Sequence, residues 1–313
     1  MKNRVGIFSI HDDFHAYIIS DALKKGFNTK AYIFEVDQVA GDEGLSFYAD
    51  KNKYNNMYLT DNNKEAINIR DLDKIWWRRR SKNQLISSQI ENESHKDFIN
   101  IETFEALMGG ITNVFEGEWI NGIHETETAT NKLIQMKTAE LCGFNLPKTI
   151  VTQSKTDLLN FVNEINTSLI IKPMRGTRTT TLRAMKIDKS DLKDDLDITM
   201  CPTMYQEYIE GTRHFRVHCF GNEITTVLIE TEEVDWRILR NCKFSIYKLP
   251  DDIENKIFDF IKKMNLKMGV IDLKQSDDGE YYWFEINPQG QFLFWEPLLE
   301  INLTKKFCDF IAN

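Results

Sequence analysis

The chain has 313 residues, 42% of them hydrophobic and 28% charged, which allows a sizeable core and suggests two domains, or three lobes in two groups. A net charge of −9 argues against a nucleic-acid binder held by a broad basic surface, while leaving room for local basic pockets. The five cysteines have no C-x-x-C spacing, so neither structural zinc nor a disulfide framework is expected. No apolar run reaches membrane-spanning length, and the chain reads as cytoplasmic.

"RVGIFSI" (4–10), a helical "AYIISDALKKGF" closed by Gly26, and "KAYIFEV" (30–36) form a β-α-β opening and predict a parallel sheet. The first turn, "HDDFH", lacks a glycine-rich fingerprint, so a dinucleotide-binding site is not supported. "KIWWRRR" (74–80) reads as a strand ending in three arginines. A helix is expected over roughly 91–111, with Phe98, Ile101, Phe104, Leu107 and Met108 on one side. "NVFEGEW" returns to the sheet, and a domain boundary is placed near residue 123.

Beyond it, 124–143 reads as one N-capped helix ending at Gly143, and "KTIVT" as a strand after Pro147. Next come a helix (156–165), the strand "SLIIKPM" (168–174), the loop "RGTRTTT", the strand "LRAMKI" and an acidic linker "DKSDLKDDLD". "TMYQEYI" (203–209) is a further strand, and "FRVHCFG" and "EITTVLIE" flank Gly221-Asn222 as a hairpin. A helix (251–264), a second hairpin and a last helix close the chain.

That second hairpin, "GVIDLKQSDDGEYYWFEINPQGQF" (269–292), carries the clearest chemistry. With Asp278-Gly279 as a two-residue turn, Asp277 pairs with Glu280 and Asp272 faces Glu285. Alternation then puts Asn287 on the face of Glu285 and leaves Ile271, Leu273, Tyr282, Phe284 and Ile286 for the core. Like charges placed opposite each other are unfavourable, and a divalent cation relieves them. Hard oxygen donors point to Mg²⁺; the alternative is a carboxylate pair held by water or a basic side chain.

Lys172 lies inside an apolar strand, where an ammonium needs an anionic partner, either a phosphate or a structural carboxylate. Arg216, on "FRVHCFG", needs one too. "RGTRTTT" offers glycine, hydroxyls and guanidinium groups to phosphates without being a Walker A sequence. Lys132 follows Asn131 early in a helix, where a surface lysine is the alternative, and "DWR" (235–237) places Asp235 beside Arg237 in a loop.

The order of these features resembles the ATP-grasp superfamily, and within it the microviridin-type (graspetide) ligases that cross-link ribosomal peptides. It runs through Asn-Lys on a helix, "GFNLPKTIVT", "IIKPM", "YQEYIEG", "FRVHCFGNEI" and "EINPQGQFLFWE", with "WWRRR" and "DWR" also similar. The resemblance implies an α/β pre-ATP-grasp domain over 1–123. A two-lobed α+β ATP-grasp domain would follow over 124–313, with lobes of about 124–205 and 206–313.

It also implies site residues. Lys132 and Lys172 would contact ATP phosphates. Gln206, Glu207, Tyr208 and Ile209 would line adenine, largely through backbone groups, with Glu210 at the ribose. Arg216 would hold the transferred phosphoryl group or the acyl phosphate, and Asp272, Glu285 and Asn287 would bind Mg²⁺. Lys172, Arg216 and Arg237 would be catalytic. Arg78, Arg79 and Arg80, with Asp235 and Arg237, would meet an acidic precursor peptide; ordinary surface charge is the alternative for 78–80. Homodimers are common in the resembled group. One departure is "RHFRV" (213–217), where relatives often carry an acidic residue before Arg-Val, and it leaves Arg213 and His214 without an implied role. Rival expectations are a ligase joining amino acids or other small molecules, as in glutathione synthesis, and a non-catalytic nucleotide-binding protein.

Overall fold

The computed structural model describes residues 3–41, 44–50, 53–175, 183–189, 198–238 and 241–313. Most of the loop "RGTRTTT" and of the acidic linker lies outside them. The chain divides into two compact units, 1–123 with 291–296 and 300–313, and 124–290 with 297–299. The C-terminal helix Leu303–Ala312 therefore belongs to the first unit, where it packs on the first helix.

In the first unit, β1 (Arg4–Ser9), α1 (Phe14–Gly26) and β2 (Lys30–Glu35) form the expected β-α-β opening, and β1 and β2 are parallel. A hairpin of β3 (Leu45–Asp50) and β4 (Lys53–Thr60) joins β5 (Ala66–Asn68) in a separate three-stranded sheet, which the sequence reading did not anticipate. Its outer strand β3 is largely exposed, so it lacks the apolar run that marks a buried strand. β6 (Lys74–Trp77) and β7 (Glu118–Ile120) complete a parallel sheet in the order β2-β1-β6-β7.

α2 (Glu93–Val114) starts where Asn92 accepts hydrogen bonds from the Ser94 and His95 amides. Its buried residues are Leu107, Gly110, Ile111 and Val114. The apolar stripe is thus left open at its N-terminal end, where Phe98 is 65% and Ile101 51% exposed.

Arg78 requires a second correction. It is buried, and its guanidinium lies 3.2 Å from Asp13, the N-cap of α1. A side chain closed off from solvent cannot steer a peptide, so it serves the interior of this unit. Arg79 and Arg80 are only partly buried.

His15, also buried, accepts at Nε2 from the amides of Phe292 and Leu293, at 3.1 and 3.3 Å. Burial, then the nearby Arg78, pushes its pKa from 6.5 to about 4. The folded protein thus binds fewer protons here than the unfolded chain between those pH values. Its stabilising contribution is complete above pH 6.5 and is lost as pH falls toward 4. Urea titrations at pH 7 and pH 4.5 are expected to show wild type losing about 2 kcal/mol more than His15→Phe.

In the second unit the predicted single helix over 124–143 is two, α3 (Ile123–Thr130, from the unit boundary onward) and α4 (Lys132–Leu141). Asn131 breaks it, because its side chain accepts from the Leu133 and Ile134 amides and caps α4. β8 (Thr149–Thr152), α5 (Lys155–Glu164), β9 (Leu169–Lys172), β10 (Met185–Ile187) and β11 (Thr203–Glu207) follow. Their strands form an antiparallel sheet ordered β10-β9-β11-β8.

β12 (Arg213–Phe220) and β13 (Glu223–Glu230) are the expected hairpin, with Gly221 at φ +57° in its two-residue turn. β14 (Lys243–Tyr247), unanticipated, pairs with β13 at the edge. α6 (Asp251–Lys263), β15 (Met268–Gln275) and β16 (Tyr281–Asn287) complete a sheet ordered β14-β13-β12-β15-β16. Its inner face packs on α6, with the rings of Phe260 and Trp283 at 4.2 Å and Phe215, Ile271 and Leu273 in the same core. All five cysteines are free, and Cys142, Cys219 and Cys308 are buried.

Candidate active site

The β15–β16 hairpin turns differently from the sequence reading. The Ser276 amide donates to the Glu280 carbonyl at 2.9 Å, so three residues, Asp277, Asp278 and Gly279, form the loop, with Gly279 at φ +93°. That shifts the pairing by one residue, to Lys274 with Tyr282 and Leu273 with Trp283. A bulge at Phe284 then inserts one residue, and Asp272 stands opposite Glu285 after all. The bulge also exchanges faces: Trp283, 1% exposed, enters the core, whereas Phe284, assigned to the core from sequence, lines a cleft.

This cleft, of about 360 Å³, lies wholly within the second unit, among residues of both of its sheets. Asp272 and Glu285 line it together with Lys132, Lys172, Asp235 and Arg237. Lys132 reaches it because Asn131 fixes the start of α4 and Gln135 clamps that helix to β16. The Gln135 amide donates to the Ile286 carbonyl at 3.0 Å and accepts from the Ile286 amide at 2.9 Å. Lys132 then forms an ion pair with Glu285. Lys172 closes β9, opposite Met204, with its ammonium 5.6 Å from the Phe284 ring centroid.

Arg216 pairs across the sheet with Asp272, and one of its terminal nitrogens donates to both carboxylate oxygens at 2.9 and 2.8 Å. Arg237 forks onto Asp235 at 2.7 and 2.8 Å. Asp235 is 3% exposed and Arg237 52%, so the buried acid aims an accessible guanidinium.

These charges shift one another. Burial, then the neighbouring Lys132, lowers Lys172 to about 8. Burial alone would raise Glu285, but Lys132, Lys172 and Arg237 outweigh it and hold it at about 2. Asp272 moves the other way: burial raises it, with Glu285 adding to the effect and Arg216 opposing it. One acid is thus firmly ionised beside another that needs a counter-charge.

The donor set fits a hard divalent cation. Among the described residues no cluster of three or more His, Cys, Asp or Glu forms an all-protein cage. Two opposed carboxylates suit an ion that keeps waters and shares phosphate oxygens, as Mg²⁺ does. Asn287 is exposed, does not line the cleft, and its side-chain oxygen accepts from the Gln289 amide at 3.0 Å.

Of the remaining candidates, Gln206, Glu207, Tyr208 and Ile209 all line the cleft. The Gln206 side chain donates to the Thr149 hydroxyl at 2.7 Å and that of Glu207 accepts from the Lys148 amide at 2.8 Å. Both side chains are thus committed to holding this crossover segment in place. Glu210 is exposed and does not line the cleft; neither do Arg79 and Arg80. Sequence reasoning missed Lys274, a 2% exposed lysine lining the cleft. The rule that singled out Lys172, an ammonium inside an apolar strand, applies equally to "GVIDLKQ".

Residues 129–311 match the family model described as a RimK-like ATP-grasp domain. Among curated relatives, an uncharacterized protein of Methanocaldococcus jannaschii is 28% identical over 210 residues, 65% of this chain and 51% of that one. The alpha-aminoadipate–LysW ligase of Sulfurisphaera tokodaii is 24% identical over 191 residues, 56% of this chain and 66% of that one. The chain therefore spans about half to two thirds of the length of these two relatives.

Among solved structures, the macrocyclase MdnC of Microcystis aeruginosa, bound with precursor peptide MdnA, has a TM-score of 0.85 at 22% identity, covering 99% of this chain and 100% of that one. A RiPP-associated ATP-grasp ligase of Chryseobacterium gregarium, in complex with ADP and a leader and core peptide, has a TM-score of 0.86 at 20% identity, covering 98% and 96%. These likenesses show a shared fold over nearly the whole chain. No helix among the described residues is long and apolar enough to cross a membrane.

Proposed function

Because the chain belongs to the RimK-like ATP-grasp family, we propose that it activates Asp or Glu side chains of a ribosomal precursor peptide with ATP and joins them to hydroxyl or amine side chains. The products are macrocyclic esters or amides. One observation carries the reading: an opposed acid pair, Asp272 and Glu285, lies in one cleft with Lys132, Lys172 and Arg237, and Arg216 binds one of the acids. The two solved structures named above, whose bound peptides are precursor or leader and core peptides, support the choice of substrate.

A carboxylate is inert toward amines and alcohols because oxide is a poor leaving group. In the proposed reaction a carboxylate oxygen attacks the γ-phosphorus of ATP, the bond to the bridging oxygen breaks, and ADP leaves. The hydroxyl or amine then attacks the acyl carbon and loses its proton, and phosphate departs with the former carboxylate oxygen. The protein's part is positioning and charge neutralisation. Lys132 and Lys172 neutralise phosphate charge that would repel the incoming carboxylate, and Arg216 holds the transferred phosphoryl group. Arg237, aimed by Asp235, stabilises the oxyanion formed on the acyl carbon. Gln206, Glu207, Tyr208 and Ile209, which line the cleft, flank adenine. Asp272 and Glu285 would hold Mg²⁺, which would supply positive charge to offset that of the phosphate oxygens, whereas the Asn287 oxygen is engaged by the Gln289 amide outside the cleft.

A second reading, ligation of a free amino acid, is favoured by the alpha-aminoadipate–LysW ligase relative. Intact-mass analysis separates the two. With ATP, Mg²⁺ and a peptide containing Glu, Asp, Thr, Ser and Lys, the first reading expects loss of one water per ADP formed. A gain in mass on adding free amino acids would favour the second, and an ATPase indifferent to both peptide and amino acid would count against each.

A further inference from the structure

Arg216, which holds the transferred phosphoryl group in the scheme above, meets Asp272 through one nitrogen alone. That nitrogen donates to both carboxylate oxygens, at 2.9 and 2.8 Å. The Arg216 Nε is buried and has no hydrogen-bond partner among the described residues. A guanidinium presents its donors as a rigid planar fork. Two of its nitrogens on a carboxylate would lock that plane, whereas a contact through one nitrogen leaves the plane free to swing. A second contact is needed to set it if the unused edge is to face an anion.

An aromatic ring makes that contact. Trp236 lines the cleft, and the Arg216 guanidinium carbon lies over its ring, 5.7 Å from the centroid. An indole face attracts a cation within about 6 Å, and arginine stacks on such faces with its plane. Trp236 is itself held in place. It opens the short 3-10 turn Trp236–Ile238, directly after the buried Asp235. The Asp235 carboxylate accepts from the Arg237 amide at 3.1 Å, and its backbone carbonyl accepts from the Ile238 amide at 3.0 Å. Beyond the turn, the Cys242 thiol donates to the Trp236 carbonyl at 3.7 Å. The aspartate that aims Arg237 therefore also anchors the residue that faces Arg216.

We propose that Trp236 is a positioning residue for the ligation. Its ring sets the plane of the Arg216 guanidinium, so that the edge bearing Nε, not spent on Asp272, meets the transferred phosphoryl group. Asp235, Trp236 and Arg237 then act as one unit that orients both arginines of the reaction. The proposal rests on the ligase reading, in which Arg216 contacts that group.

The test is the steady-state rate of ADP release with peptide, ATP and Mg²⁺. Trp236→Leu keeps an apolar cover without a ring face. It is expected to lower kcat about tenfold, while KM for peptide and for ATP stays within about twofold of wild type. Trp236→Phe, which keeps a smaller ring, should lose about threefold in kcat. In protein already carrying Arg216→Met, Trp236→Leu should cost less than about twofold, because the residue it orients is gone. A raised KM for peptide with kcat unchanged would overturn the proposal in favour of a substrate contact. The full tenfold loss in the Arg216→Met background would overturn it in favour of a structural role. If Trp236→Leu does not fold, Trp236→Phe and Trp236→Met decide the matter on the same criteria. Wild-type protein that releases no ADP would sink the ligase reading, and this proposal with it. Active wild type whose kinetics Trp236→Leu leaves unchanged would sink only the proposal.

Discussion

Glu285→Gln and Asp272→Asn are each expected to lower ATP-dependent loss of water from a peptide substrate by about 100- to 1000-fold, the range seen when one preorganised electrostatic contact is removed. Both substitutions keep the side-chain volume and remove the charge. Glu285 is held ionised near a pKa of about 2 by the cations around it, so the amide removes a full negative charge at any working pH. Lys132 then loses its ion-pair partner, and the cleft becomes more positive. Simple phosphate attraction would therefore strengthen while cation binding weakened. That opposition is diagnostic: the nucleotide should bind the Gln variant in the absence of Mg²⁺ at least as well as wild type, and Mg²⁺ should no longer improve it. Calorimetric titration of ADP with and without Mg²⁺ reads both effects. Turnover equal to wild type in either variant would remove these acids from the metal site.

Arg216→Met is expected to reduce turnover by about 100-fold or more and to destabilise the protein by roughly 2–4 kcal/mol. The two losses have different origins. Stability falls because Asp272, whose side chain is 19% exposed, is left without the guanidinium that neutralises it. Activity falls because no fixed cation remains at the transferred phosphoryl group. Combining Arg216→Met with Asp272→Asn should restore most of the stability, since removing both members of a buried pair costs far less than removing one, and should restore no activity. Chemical denaturation and rate measurements on the four members of this cycle separate the roles. Recovery of activity together with stability would assign Arg216 a structural role only.

The parts of the fold legible in sequence were those with strong local signals. The β-α-β opening, the Gly221-Asn222 turn and helix α6 each carry a continuous apolar run, a turn dipeptide or a 3.6-residue period, and these survive any tertiary context. The three-stranded sheet of β3, β4 and β5 was not legible, because β3 is largely exposed and has no continuous apolar run, and β4 opens on the mostly polar "KYNN". Asn131 shows how a side chain can outrank a pattern. Helical periodicity runs on through it, yet its capping hydrogen bonds end one helix and start another, and this break sets Lys132 at its position.

The hairpin of Asp272 and Glu285 is more instructive. Counting from a two-residue turn gave the right opposition for the wrong reason. The loop is one residue longer than its Asp-Gly signal suggests, and a bulge at Phe284 restores the register. Neither feature has a sequence signature strong enough to read alone, and Tyr282 and Phe284 were misassigned to the core face in consequence, whereas Ile271, Leu273 and Ile286 do lie in the core. Arg78 was misread for a related reason. Three consecutive arginines look like surface charge, but the first still belongs to the interior of its unit, where Asp13 meets it.

The acyl-phosphate route is tested most directly by isotope transfer. A peptide substrate whose Glu or Asp carboxylates carry a heavy oxygen isotope is incubated with the protein, ATP and Mg²⁺, and the released phosphate is analysed by mass spectrometry. Activation by phosphoryl transfer requires one labelled oxygen to appear in the phosphate for each bond closed. Ring closure that releases only unlabelled phosphate would contradict it.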